Sequence, residues 1–198
     1  QTIKDTFIGI KVDGTNPKII FNLMKPDQTS GNSTTVNSIF NILSGVTFSG
    51  IDFEFYFESF NFLSQKDYTN FGLIANTIQN SDFTDCSFTL KLSQSLTFEG
   101  SAFDYNSSTV GLMFGSIINT SFNNCAFEIN VNNNSVTLNN TLIENFGLIA
   151  GTVYSSNIQN SRLTINGVDT ITISRSASSL NVGEIAGVFN SSRLIPSQ

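Results

Sequence analysis

The stretch Gly72-Leu73-Ile74-Ala75-Asn76 returns as Gly111-Leu112-Met113-Phe114-Gly115, as Gly147-Leu148-Ile149-Ala150-Gly151, and as Gly183-Glu184-Ile185-Ala186-Gly187. The copies are spaced 39, 36 and 36 residues apart. A second stretch repeats with them. Phe83-Thr84-Asp85-Cys86-Ser87-Phe88-Thr89-Leu90 matches Phe122-Asn123-Asn124-Cys125-Ala126-Phe127-Glu128-Ile129 and Ile158-Gln159-Asn160-Ser161-Arg162-Leu163-Thr164-Ile165. Phe48-Ser49-Gly50-Ile51-Asp52-Phe53-Glu54-Phe55 precedes the Phe83 copy by 35 residues. A unit of this length cannot bury its own apolar face, so it must stack on its neighbours to share one core.

The chemistry of the repeat is that of strands and corners. Cys86, Phe88 and Leu90 alternate with Ser87 and Thr89, the period of two that places one set of side chains on one face. Before the cysteine position the copies carry Gly50, Asp85, Asn124 and Asn160, residue types that tolerate the left-handed backbone of a sharp corner. A looser third stretch reads Leu96-Thr97-Phe98, Val136-Thr137-Leu138 and Ile171-Thr172-Ile173. No helical period persists, and proline occurs only at Pro17, Pro26 and Pro196. The pattern predicts an all-β parallel β-helix, or β-solenoid, of about five coils of roughly 36 residues, with three short strands per coil. It is expected to form a single domain over residues 1–198, with 14–35 as an off-register loop or insertion. Stacking at about 4.8 Å would set like residues over like and make an inward ladder of Phe53, Phe88, Phe127 and Leu163. In the glycine motif, Glu184 suggests that the second position faces outward, while leucine in the other copies leaves its direction open.

Composition excludes several function classes. Hydrophobic residues make up 39% of the chain, with nineteen Phe and no Trp, while charged residues are only 12%, against about 25% in ordinary globular proteins. Ser, Thr, Asn and attached sugar must then supply solubility. The net charge is −6, and the nine Lys and Arg are scattered, so no basic stripe exists to neutralise a nucleic-acid backbone. No apolar run approaches the roughly 18–20 residues of a membrane span. Histidine is absent, which removes the commonest general base and metal ligand. No catalytic centre, metal or cofactor is expected.

Six Asn-x-Ser/Thr sequons occur, at Asn32, Asn106, Asn119, Asn133, Asn139 and Asn190. They fit N-linked glycans added in a secretory route, although abundant Asn and Ser also generate sequons by accident. Cys86 and Cys125 hold equivalent positions one coil apart, within reach of a disulfide by Cα spacing. The other reading is a pair of reduced thiols in a ladder position filled by Ile51 and Ser161 in neighbouring coils, since stacked side chains point the same way. Asp52 and Glu54 read as the solvent face of a strand, and Asp82 and Asp85 as corner residues bonding local backbone. With Lys66-Asp67 these are the only groupings of acids that could suggest glycosidic-bond chemistry. No Asp-x-Asp-x-Asp loop supports calcium. Thr164, Thr170 and Thr172 alternate as an ice-binding face would, but that face needs threonine on many coils, and Glu, Asn and Lys are expected at the equivalent positions.

The Gly-Leu-Ile-Ala-Gly-Thr-Val stretch, followed by an Asn-Ser-x-Phe-x-Asn-Cys segment, resembles the Gly-Leu-rich β-solenoid repeats of bacterial adhesins. It is also similar to the repeats of chlamydial-type polymorphic membrane proteins and of protist surface proteins. The resemblance covers about residues 40–195 and implies a secreted or surface-displayed protein used for adhesion or coats; this chain is richer in Phe and Asn than a typical bacterial member.

Ile3 to Ile10 can be laid on Phe83 to Leu90 as an incomplete coil, and Gly183 to Leu194 supplies the first half of another. Together with Gln1 in place of Met, this fits either an excerpt of a longer solenoid or head-to-tail stacking through incomplete terminal coils. The expectation is an extracellular or cell-surface glycoprotein serving as a filament subunit or adhesin stalk. The alternative is a carbohydrate-active enzyme or carbohydrate-binding module on a β-helix.

Overall fold

The computed structural model describes residues 2–3, 6–10, 13–23, 38–57, 61–62, 70–93, 96–99, 108–139, 143–174 and 180–196. These residues form β-strands and no helix, and every strand pairing among them is parallel. The strands fall into a six-stranded, a twelve-stranded and a four-stranded sheet. The chain visits the sheets in turn and steps up one strand at each pass, so the protein is a β-solenoid. From Asn70–Gly72 to Asn181–Gly183, the first and last strands of the four-stranded sheet, it closes three turns. Strands on either side belong to windings described only in part, so the five coils expected from the sequence exceed the turns closed here. The first closed turn carries five strand segments rather than three: Ala75–Gln79, Asp82–Thr84, Ser87–Leu92, Leu96–Glu99 and Ser108–Gly111. In the third turn the middle segments fuse into the single strand Asn157–Ser174.

Alternation and corners build each turn. Asp52–Phe57 buries Phe53, Phe55 and Phe57 and turns Asp52, Glu54 and Tyr56 outward. Gly50, Asp85, Asn124 and Asn160 all have positive φ, between 52° and 63°. The first column of corners met in each turn, Gly45, Asn80, Asn119, Ser155 and Ser191, is also left-handed and turns the chain from the six-stranded into the twelve-stranded sheet. This column was not anticipated, because its serine members carry no strong left-handed preference of their own.

The core is a set of rows running along the solenoid axis. Phe53, Phe88, Phe127 and Leu163 stand in register on successive strands. The Phe53 and Phe88 rings stack at 5.3 Å and the Phe88 and Phe127 rings at 5.6 Å, nearly parallel. A neighbouring row stacks Phe48 on Phe83 at 5.7 Å and Phe83 on Phe122 at 4.7 Å. Offset stacking of this kind adds roughly 0.5–1.5 kcal/mol per pair to the burial of the rings themselves. The extra residues of the 39-residue turn fall between Glu99 and Ser108, and the strands keep register around them.

Three sequence expectations change. Leu73, Leu112 and Leu148 are buried, so the second position of the glycine motif faces the core; Glu184, in the bend between Asn181–Gly183 and Ala186–Asn190, is exposed. Within 14–35, expected off register, Lys18–Leu23 is a strand pairing residue for residue with Asp52–Phe57, and residues 24–35 lie outside the described residues. Phe7 rather than Ile3 shares the row of Phe48 and Phe83. The first winding therefore shares the six-stranded and twelve-stranded sheets with Ala186–Asn190 and Arg193–Pro196. At the other end Leu194 pairs with Ile158, as the repeat predicts.

Candidate functional site

Each corner closes through a polar side chain placed just after its left-handed residue. Ser81, Thr120, Ser156 and Ser192 follow the first column of corners, and each hydroxyl donates to the carbonyl two residues back at 2.7–2.9 Å. Three of these oxygens also accept a backbone N–H from the preceding rung: Val46 on Ser81, Thr120 on Ser156 and Ser156 on Ser192. At the second column Ser161 repeats the pattern, accepting from the Cys125 N–H at 3.0 Å and donating to Gln159 O. Cys86 and Cys125 precede it in the same position. Their S–H groups donate to Thr84 O at 3.3 Å and Asn123 O at 3.5 Å, so the thiols close corners as the serine does. Both are buried and free. Burial pushes both thiols above their ordinary range, Cys125 to about 12, and the nearby carboxylates, Asp52 beside Cys86 and Asp85 beside Cys125, push the same way.

A groove of about 210 Å³ runs over this corner, lined among others by Asp52, Asp85, Cys86, Ser87, Asn124 and Arg162. Ser87 and Asn16 both donate to one Asp52 oxygen, at 2.8 and 3.1 Å. Asp85 accepts from Asn124 at 2.6 Å, a bond to the corner residue one rung on rather than the local backbone bond expected. Gly50 has no side chain at its corner, and Asn16 lies over it to reach Asp52 and the Asp85 carbonyl. The Asn16 amide oxygen is itself buried without a donor. Asp82 is exposed, and Lys66 and Asp67 lie outside the described residues.

Two residues along the same strand from Asp52, on the outer face, Glu54 gathers three partners that the sequence did not reveal. Lys18 and Lys91 pair with its two oxygens, and the Tyr56 hydroxyl donates to it at 2.6 Å. Lys91 also donates to the Tyr56 hydroxyl at 2.8 Å and sits 4.6 Å from the centre of its ring. The hydrogen bonds from Lys18 and Tyr56 hold the Glu54 carboxyl down at about 2. These residues come from three successive strands in register, so the signal lay in the pairing and not in any local motif. These three donors take up most of the acceptor capacity of the carboxylate.

The remaining sequence candidates scatter. Asn119 sits exposed at a first-column corner and donates its amide to Asn80 at 2.7 Å; Asn190 is exposed on the last described strand of the six-stranded sheet. Asn133 and Asn139 lie in the strand Ala126–Asn139, and Asn32 and Asn106 lie outside the described residues. The hydroxyl of the Asn190 sequon is Ser192, which the corner already requires. Thr170 lies within Asn157–Ser174. Thr164 and Thr172 are exposed; Glu128 stands opposite Thr164, but Thr172 pairs with Thr137 and Thr137 with Thr97, where other residue types were expected. Among the described residues no group of three or more His, Cys, Asp or Glu side chains gathers to hold a metal, and no helix is long and apolar enough to cross a membrane. No family model, curated protein or solved structure matches this chain.

Proposed function

We propose that this chain is an extracellular structural glycoprotein, a β-solenoid of about five coils acting as a filament subunit or adhesin stalk, with copies stacking end to end. The observation that carries the reading is that its stabilising interactions repeat along one axis. Phenylalanine rows, amide ladders such as Asn130 to Asn166 at 2.7 Å, and backbone ladders all recur from rung to rung. Val182, Phe189 and Leu194 continue three of these rows on the last described strands, where they are between 38% and 46% exposed. A further rung laid over them would bury that surface, and a second copy supplies one. On this reading the stacking is rung on rung, a head-to-tail contact that need not close. The Gly-Leu-rich surface-protein repeats that the sequence resembles suit the same role, and we assign it no catalytic one.

Sedimentation of the chain over a wide concentration range tests the assembly. Growth in mass with concentration, abolished by Leu194→Asp with Phe189→Asp, is expected; a strict monomer at every concentration would reject the stacking. Intact-mass analysis of material from a secretory host should show added hexose and N-acetylhexosamine, removed by an amidase that cleaves N-glycans.

A further inference from the structure

Cys86 and Cys125 stand in one column on adjacent rungs. Ser87 pairs with Ala126, and the Ala126 N–H donates to the Cys86 carbonyl at 2.9 Å. Parallel strands in register repeat at about 4.8 Å, so equivalent Cβ atoms are about that far apart and point the same way. A disulfide needs Cβ atoms roughly 3.5–4.5 Å apart and sulfurs at about 2.05 Å. Two parallel side chains at a rung's separation do not meet those limits, which accounts for the free thiols. A metal–thiolate bond is about 2.3 Å long, so one ion held between two sulfurs sets them roughly 4.6 Å apart. That span matches the rung repeat.

We propose that Cys86 and Cys125 form a two-coordinate site for a soft monovalent d10 cation, Cu(I) being the biological member of that class. Thiolates select such ions over the harder cations that carboxylates and carbonyls prefer. Zinc is a poor fit because it takes four ligands in a tetrahedron, and no third acid, thiol or imidazole closes on the pair among the described residues. The groove reaches Cys86, which forms part of its lining beside the Asp52 and Asp85 carboxylates, while Cys125 is buried. On binding, each S–H bond breaks, one metal–sulfur bond forms at each sulfur, and two protons pass to solvent. No electron is transferred. The complex carries a single negative charge, and Arg162 lines the same groove. The hydrogen bonds to Thr84 O and Asn123 O are exchanged for the metal–sulfur bonds.

Ag(I), which has the same charge and coordination preference and does not change oxidation state, tests the site. It is titrated without oxygen into the full chain and into Cys86→Ser and Cys125→Ser, with heat, proton release and sulfur-to-metal charge-transfer absorption recorded. Serine already fills this column at Ser161 and closes its corner there, so circular dichroism of both variants should match the parent. One Ag(I) per chain is expected, with two protons released, and either serine variant should bind roughly 100-fold more weakly or worse, beyond the loss from a missing outer-shell partner. Two ions binding independently, full affinity in either single variant, or loss of two hydrogens by intact mass on exposure to air would each overturn the proposal. If a serine variant fails to fold, the stoichiometry and proton count of the parent chain still decide.

Discussion

A residue just after a corner has to serve two rungs: it closes its own turn and accepts an N–H from the strand below. Ser156 shows both, donating to Tyr154 O and accepting from Thr120 N, at a position 5% exposed. Ser156→Ala leaves a buried N–H without a partner and should cost about 1–3 kcal/mol in chemical denaturation. Ser156→Thr should cost far less, because Thr120 already occupies that column. Glu54 answers to a different demand, the pairing of charges across three strands. Its carboxyl is depressed to about 2 when folded, against about 4.3 in an unfolded chain. The folded state thus binds fewer protons in that interval, so the contribution is present above about 4.3 and is lost as pH falls towards 2. Urea midpoints of the parent should drop through that window, while those of Glu54→Gln should be lower at neutral pH and flatter below. Exposed Lys18, screened by solvent, keeps the effect modest.

At the scale of elements, a strand contributes in proportion to how many neighbours its inward residues have. Phe88 lies between Phe53 and Phe127 and also meets Phe83, Phe114 and Phe122 edge-on. Phe88→Ala should cost about 3–5 kcal/mol. Ile19 stands in the same row, but it is 40% exposed and among the described residues pairs with Phe53 alone. Ile19→Ala should cost about 1 kcal/mol or less, since much of its surface is still in water. Equal losses at the two positions, measured by denaturant midpoint, would argue against a stacked core. These strands were legible from alternation alone, because Phe53, Phe88 and Phe127 sit in copies of one motif. Lys18–Leu23 was not, since Ile19 follows Phe7 by twelve residues where Phe53 follows Phe48 by five, and Ile20 interrupts the alternation.

For the whole molecule, a solenoid transmits stability only between neighbouring rungs, so protection should vary along its axis rather than collapse at one point. The closed turns between Gly72 and Gly183 hold most of the fully buried side chains, including Leu73, Ile78, Phe114, Ile117 and Phe146. The first winding exposes Ile8 by 73% and Ile20 by 56% at outward positions that are polar on the next four rungs. Amide hydrogen exchange should therefore be slowest in Ala75–Tyr154 and at least tenfold faster in Lys18–Leu23, an opening difference of about 1.4 kcal/mol. Uniform protection from end to end would contradict this gradient.

The amino-acid sequence by itself determined the architecture. A repeat of near-constant length, strands alternating every second residue, and glycine, asparagine or aspartate at the turns leave stacked parallel windings as the economical way to bury a core rich in phenylalanine. Only the tertiary structure decided the register of the first winding, the convergence of Lys18, Tyr56 and Lys91 on Glu54, and the equivalence of Cys86 and Cys125 with Ser161 as corner donors. The division has one physical cause. Alternation and turn propensity are properties of neighbours in sequence, whereas contacts between rungs depend on how many residues each loop inserts, and a shift of one residue would send every side chain to the opposite face.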